Sequence, residues 1–238
     1  AGRLDFGGAG SLAGEARHGH AGGQKVVHVS LRLNAQIDYL VTLINHSYGA
    51  YTALWHVLGQ KHPPPGLCHT WQASPFKYSP SGKVPCLIDG DTVVWDSLAI
   101  CEYIAEKVPA LWPTDSKSRA EARSISAEMH SGFVALRHTL PMDVTASKPH
   151  TTRTADVEAD IARIVDIWES CRSRFVDAGP FLFGRFTIAD AMFAPVVWRF
   201  LTYEVELPAA SRKWVDAMLA LPAMQEWRAG AQAETAGG

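Results

Sequence analysis

The segment Tyr78 to Glu106, YSPSGKVPCLIDGDTVVWDSLAICEYIAE, decides the fold because it places strand, tight turn, strand and helix in immediate succession. Apolar, β-prone residues run from Val84 to Ile88, Asp89-Gly90 is a strong hairpin turn signal, and Thr92 to Trp95 provides the returning strand. The apolar residues that follow recur with helical spacing, so the segment is predicted to end in a helix.

Two polar residues, Asp96 and Ser97, stand where this helix begins. Free backbone N–H groups and the positive end of the helix dipole collect at a helix N-terminus, where they favour a carboxylate. Ser97 adds a hydroxyl donor and Asp96 accepts from an ammonium group, so one small zwitterion suits both residues. The pair also fits an ordinary N-capped helix without a ligand, because Asp and Ser are common caps.

Pro85 marks the other end of the hairpin and has no N–H group to give to a β-ladder. Its strand is therefore expected to lie at a sheet edge or to contain an irregular, cis peptide bond. Either arrangement leaves the backbone of Val84 free to pair with an extended peptide.

The chain carries six sequence blocks between about Leu40 and Trp227: SPSGKVP, VVWDSLAICEYIAE, AEMHSGFVALR, LPM, FLFGRFTIADAMFAPVV and LALPAMQEW. In this order they resemble the glutathione transferases, and more specifically a bacterial-type subgroup of the serine-class enzymes. The resemblance implies an α/β thioredoxin-like N-terminal domain followed by an all-α C-terminal domain. It also implies a homodimer that conjugates glutathione, as cosubstrate, to a small electrophile through a stabilised thiolate.

The resemblance assigns glutathione contacts to Lys83, Val84, Pro85, Asp96 and Ser97. In the family, a Val-Pro pair with the proline in cis binds the cysteinyl backbone of glutathione. An acidic residue followed by serine holds the γ-glutamyl end. No metal is expected at such a site.

The chain departs from the subgroup where the thiol is activated. The subgroup usually reads Tyr-Ser-Ser-Trp-Ser at the start of its first helix, whereas this chain reads Tyr48-Gly49-Ala50-Tyr51-Thr52. The two expected serine positions therefore have no hydroxyl. A hydrogen bond to the charged sulfur contributes roughly 1.5 to 3 kcal/mol, which corresponds to about one to two pKa units.

Three interpretations of this departure stay open. A neighbouring hydroxyl takes over the donor role, with Tyr48 and Thr52 as the first candidates for the catalytic group and Ser47 and Tyr51 as others. Alternatively, the site activates glutathione weakly, helped by the helix N-terminus alone. In the third case the domain binds without catalysis. A glutathione-dependent isomerase of the same fold is a further alternative to the transferase.

The pattern changes from strands to helices near Pro109 to Asp115, which predicts a linker. The predicted organisation is a disordered Gly/Ala-rich extension at 1–38, the thioredoxin-like domain at 39–108, a linker at 109–117, a helical domain at 118–232 and a tail at 233–238. Helices are predicted at about Ser118 to Leu140, Thr154 to Val176, Ser211 to Ala220 and Ala223 to Gln232. Thr187 and Asp190 form a capping-box pattern that predicts the start of another helix.

The predicted helix from Ser118 to Leu140 is the expected wall of an electrophile pocket between the two domains. One face of that helix carries five residues: Met129, His130, Phe133, Val134 and Arg137. His130 fits either a base or substrate ligand, or a histidine whose partner lies across the domain interface. Glu128 is a candidate ion-pair partner of Arg137.

Composition excludes several classes of function. The 238 residues have a formal net charge of -2, which gives no reason to expect nucleic acid or an anionic membrane. The apolar run Ile188 to Val197 is far shorter than the ~20 residues of a membrane span. The four cysteines have no zinc-type spacing, and with no secretory segment apparent a cytoplasmic protein is expected.

Overall fold

The structure, a computed structural model, describes residues 18–21, 24–27, 80–81, 86–89 and 91–237. Strand β1 (His18–Ala21) pairs antiparallel with strand β2 (Gln24–Val27). These strands lie in the extension for which the composition predicts disorder, so the structure differs from that expectation. The two β-branched valines at the end of β2 favour a strand, whereas the Gly/Ala-rich composition around them favours disorder.

The predicted hairpin of the N-terminal domain is confirmed. Strand β3 (Cys86–Asp89) pairs antiparallel with strand β4 (Thr92–Trp95), with Cys86 opposite Trp95 and Asp89 opposite Thr92. Asp89 therefore belongs to the strand rather than to the turn.

Helix α1 (Ser97–Lys107) begins where the sequence predicts it. It buries an apolar stripe formed by Ile100, Cys101, Ile104 and Ala105, at the spacing expected of an amphipathic helix. A 3-10 turn at Pro109–Leu111 follows, inside the predicted linker.

After this turn, the regular elements of the described chain are helices, joined by loops that include two isolated β-bridges. Its α-helices are α2 (Ser116–Ser131), α3 (Val134–Thr139), α4 (Ala155–Phe175), α5 (Ile188–Thr202), α6 (Ala209–Leu219) and α7 (Pro222–Gly237). Three predicted helices are confirmed: α4 and α6 within two residues at each end, and α7 at its start, although it continues five residues beyond its predicted end. The prediction of one helix from Ser118 to Leu140 is wrong, because the chain leaves the helix between α2 and α3.

Two residues cause this break. An added Cβ at Gly132 would lie 2.6 Å from the carbonyl oxygen of Glu128, so the backbone approaches too closely there for a side chain. Phe133 then adopts a left-handed conformation with φ 57°, which no continuing α-helix contains. The chain therefore changes direction while the apolar spacing continues through the break.

Helix α5 forms the centre of the helical domain, with every residue except Leu201 buried. The predicted capping box at its start is confirmed, since Asp190 Oδ2 accepts from the backbone N–H and hydroxyl of Thr187 at 2.8 and 3.0 Å. Asp190 Oδ1 accepts from Leu182 N and from Trp214 Nε1, both at 2.9 Å. Burial raises the pKa of Asp190, and these hydrogen bonds act in the opposite direction.

Across the described ranges, no helix combines the length and apolar character that crossing a membrane requires.

Candidate functional site

Asp96 occupies the junction between β4 and α1. Its Oδ1 accepts hydrogen bonds from the backbone N–H groups of Leu98 at 2.9 Å and Ala99 at 3.2 Å, so it caps the helix. The backbone of Asp96 has φ 76° and ψ 133°, a region that residues other than glycine rarely adopt. The side chain is still 44% exposed, which leaves part of the carboxylate accessible.

Ser97, the first residue of α1, is only 2% exposed. The N–H groups of Leu98 and Ala99 are taken by the Asp96 carboxylate, and that of Ile100 by the Asp96 carbonyl at 2.9 Å. Among the described residues, the Ser97 N–H has no such partner. It is therefore the donor of the first turn that the capping contacts of Asp96 leave unused.

His130, near the end of α2, brings the helical domain to this junction. Its Nε2 lies 2.8 Å from Asp96 Oδ2, within ion-pair distance, and its side chain is 32% exposed. His130 therefore contacts the N-terminal domain at Asp96, as the interface alternative predicted. The contact engages one carboxylate oxygen and leaves Ser97 uninvolved.

A second contact joins the same two helices. Glu102 of α1 accepts two hydrogen bonds from Arg123 of α2, at 3.0 and 3.1 Å, and one from Trp112 Nε1 at 3.2 Å. Because the later position on α1 pairs with the earlier position on α2, the helices run antiparallel. The two attachment points are separated by roughly 9 Å of helix rise on α1 and about 10.5 Å on α2, so the two helices match in register.

The residues predicted to form the wall of the electrophile pocket on a single helix are divided between two helices. Met129 and His130 lie on α2, whereas Val134 and Arg137 lie on α3, beyond the break. Phe133 and Met129 are buried in the core, and Val134 is 59% exposed. These side chains therefore do not share one helix face.

The candidate pair of Glu128 with Arg137 is also wrong. Glu128 instead accepts from Arg163 of α4, at 2.7 and 3.0 Å. Arg137 donates to the backbone carbonyls of Met129 and His130, the latter at 3.1 Å. The sequence does not indicate these contacts of Arg137, because the acceptors are main-chain oxygens, which every residue has.

The two buried cysteines, Cys101 and Cys171, are unfavourable sources of a thiolate. Burial raises the pKa of the Cys171 thiol to about 12 and also raises the pKa of Cys101 well above its ordinary value. Within the described ranges, no three His, Cys, Asp or Glu side chains form a group that could hold a metal ion.

Five predicted site residues lie outside the described residues: Tyr48, Thr52, Lys83, Val84 and Pro85. Asp96 and Ser97 are therefore the predicted glutathione contacts that have a described geometry. Sequence reasoning missed Glu102, whose carboxylate anchors α1 to α2. Its partner Arg123 lies 21 residues further along the chain, too far for a local pattern to connect the two.

Family models match both halves of the chain. The model for the glutathione S-transferase N-terminal domain matches residues 35–107, and the model for the C-terminal domain of the same family matches residues 151–230. Glutathione S-transferase Z2 of Arabidopsis thaliana is 30% identical over 153 residues, which cover 56% of this chain and 68% of that protein. The chain belongs to the glutathione S-transferase family.

Another relative is less similar in sequence. A stringent starvation protein A homolog from Haemophilus ducreyi is 22% identical over 146 residues, and the match covers 60% of this chain and 64% of that protein. The chain thus spans less than two thirds of the length of this relative.

A solved glutathione transferase homolog from Burkholderia GL BGR1, with bound glutathione, has a TM-score of 0.52 and 22% identity to this chain. The superposition covers 68% of this chain and 80% of that one. At this identity the likeness concerns the fold. Together with the family models and the helical C-terminal region, it defines the two-domain architecture: a thioredoxin-like domain followed by an all-α domain.

Proposed function

We propose that this protein is a glutathione transferase that conjugates glutathione to a small electrophile. The thiolate sulfur attacks an electrophilic carbon, a carbon–sulfur bond forms, and the leaving group departs with the electrons of its bond. The proton of the glutathione thiol passes to solvent before the attack. Within the family, the six sequence blocks favour the bacterial-type subgroup of serine-class enzymes.

The observation that carries the proposal is the pairing of Asp96 and Ser97 at the start of α1. Asp96 offers a partly exposed carboxylate to an ammonium group, and Ser97 offers a backbone N–H and a hydroxyl to a carboxylate. The γ-glutamyl end of glutathione carries one ammonium and one carboxylate on the same carbon. The ammonium can therefore donate to the Asp96 carboxylate, while the carboxylate accepts from the adjacent Ser97.

The other proposed glutathione contacts rest on the resemblance to the family. Val84 and Pro85 would hold the cysteinyl backbone, with Lys83 close to the tripeptide. Tyr48 and Thr52 flank the vacant serine positions and are the proposed donors to the thiolate. The electrophile would enter between the two domains, and the protein would act as a homodimer in the cytoplasm, in detoxification.

A non-catalytic glutathione-binding protein is the second candidate, because Gly49 and Ala50 stand where the subgroup has serines. Loss of one hydrogen bond to the sulfur lowers the thiolate population roughly 10- to 100-fold. Such a loss slows conjugation without abolishing the binding of glutathione.

Two assays on the full chain separate these candidates. The protein is passed over immobilised glutathione and eluted with free glutathione, and turnover of a chloronitrobenzene is then followed in the presence of glutathione. We expect retention and a glutathione-dependent release of chloride. Retention without turnover would exclude the transferase and support the non-catalytic glutathione-binding protein. Lack of retention would exclude both candidates.

A further inference from the structure

The two oxygens of the Asp96 carboxylate have different surroundings. Oδ1 accepts from both Leu98 N and Ala99 N, which uses the two lone-pair sites of that oxygen. Oδ2 lies 2.8 Å from His130 Nε2. A ligand cation that approaches Asp96 therefore meets Oδ2, and it meets it beside the imidazole of His130.

The backbone of Asp96 needs support from its neighbours. Its φ of 76° is sparsely populated for a residue with a side chain, so this conformation is strained. The hydrogen bonds of Oδ1 hold the residue from its own helix. His130 adds a contact from the other domain, at the oxygen that the helix does not use.

His130 is itself held in place by the elements around it. Met129, the preceding residue, is fully buried in the core, and Arg137 donates to the carbonyl oxygens of both Met129 and His130. Midway along the same helix pair, Glu102 binds Arg123. The imidazole therefore projects toward Asp96 from a helix that is anchored near its middle and near its C-terminal end.

We propose that His130 is a positioning residue for the γ-glutamyl ammonium of glutathione, acting through Oδ2 of Asp96. This inference rests on the proposed function and names a residue of the helical domain that shapes the glutathione site. The ammonium and the thiol lie at opposite ends of the γ-glutamyl-cysteinyl unit. His130 therefore acts on the binding of glutathione rather than on the ionisation of its sulfur.

The test compares four proteins by isothermal titration calorimetry: the wild type, His130→Ala, His130→Gln and His150→Ala. His150 is an exposed histidine in the loop before α4, so its variant is the matched control. Each protein is titrated with glutathione and with glutaryl-cysteinyl-glycine, which lacks only the ammonium group. Thermal unfolding of each variant shows whether it is folded.

We expect His130→Ala to weaken glutathione binding roughly 3- to 10-fold, as for loss of a partly exposed charged contact. His130→Gln places an amide N–H near the position of Nε2 and is expected to restore binding to within about 3-fold of the wild type. Binding of the ligand without the ammonium is expected to be the same for all four proteins. His130→Asn, whose amide is too short to reach Oδ2, replaces the alanine variant if that protein does not fold.

The other outcomes overturn the inference in distinguishable ways. No binding of glutathione by the wild type would remove the proposed function and the role of His130 together. Wild-type binding that is unchanged, or tighter, in His130→Ala would remove only the role of His130. An equal loss for both ligands would mean that His130 supports the fold and does not position the carboxylate.

Discussion

At the scale of single residues, the proposed site for the γ-glutamyl end of glutathione combines an exposed side chain, that of Asp96, with a buried one, that of Ser97. Asp96 keeps 44% of its side chain exposed although it caps the helix, whereas Ser97 is almost fully buried. A buried hydroxyl and N–H at a helix N-terminus gain strength from the low local dielectric and the helix dipole. Removal of the Ser97 hydroxyl, by replacement with alanine, is thus a direct test of the site.

Replacing Ser97 by Ala is expected to weaken glutathione binding by roughly 1 to 3 kcal/mol, because a hydrogen bond to a charged carboxylate is lost. Calorimetric titration of glutathione measures the change. Ser124→Ala is the matched control, since the Ser124 hydroxyl is exposed and bonds the carbonyl of Ala120 within its own helix. An unchanged dissociation constant for Ser97→Ala would remove Ser97 from the site.

Short-range patterns predicted the residues whose roles are local. Thr187 and Asp190 lie three positions apart, so their capping box follows from the sequence alone. Asp96 was identified as a possible cap for the same reason. Its contact with His130 joins two domains, and no spacing in the sequence indicates which of ten histidines reaches that carboxylate.

At the scale of elements, the break between α2 and α3 sets the direction of the chain beside the site. Leu136 N of α3 donates to Asp160 Oδ2 of α4 at 2.9 Å, so a neighbouring helix satisfies the start of α3. The sequence predicted one helix here because the apolar spacing continues through the break. Gly132 was the available signal, but one glycine inside a helical pattern is often tolerated.

Replacing Gly132 by Ala is expected to destabilise the protein by about 1 to 3 kcal/mol, because the new methyl group would overlap the carbonyl oxygen of Glu128. The backbone φ of -98° is allowed for alanine, so the cost arises from the contact. Urea unfolding followed by circular dichroism measures the loss.

Gly230→Ala provides the matched control for this substitution. An added Cβ at Gly230 meets no atom within 4 Å, and the residue lies inside helix α7. Alanine is expected to be neutral or to stabilise by up to about 1 kcal/mol there. Equal free energies of unfolding for the two variants would contradict the close approach at Gly132.

At the scale of the whole molecule, the two domains meet along the antiparallel helices α1 and α2. The contacts at Asp96 and Glu102 come from the domain that carries the proposed glutathione site, and their partners come from the helical domain. The two-domain architecture was predicted from the order of strands and helices and from the resemblance. The pairing of these helices was not, because it depends on side chains that lie far apart in the sequence.

Restoring a hydroxyl at the vacant positions tests whether weak thiol activation limits the enzyme. Gly49→Ser or Ala50→Ser is expected to raise the rate of conjugation of a chloronitrobenzene, by up to the roughly 10- to 100-fold that one hydrogen bond to the sulfur provides. Ala120→Ser, on the exposed face of α2, is the control. A rate that does not rise would indicate that a substitute donor such as Tyr48 or Thr52 already acts.

The proposed function depends most on the binding of the γ-glutamyl end of glutathione at the start of α1. The backbone amide of Ser97 reports on that position directly, and it can be followed by NMR in protein labelled with ¹⁵N-serine during a glutathione titration. We predict a saturable shift of the Ser97 signal that is much smaller with glutaryl-cysteinyl-glycine at the same concentration. A Ser97 signal that stays fixed while glutathione saturates the protein would contradict the account.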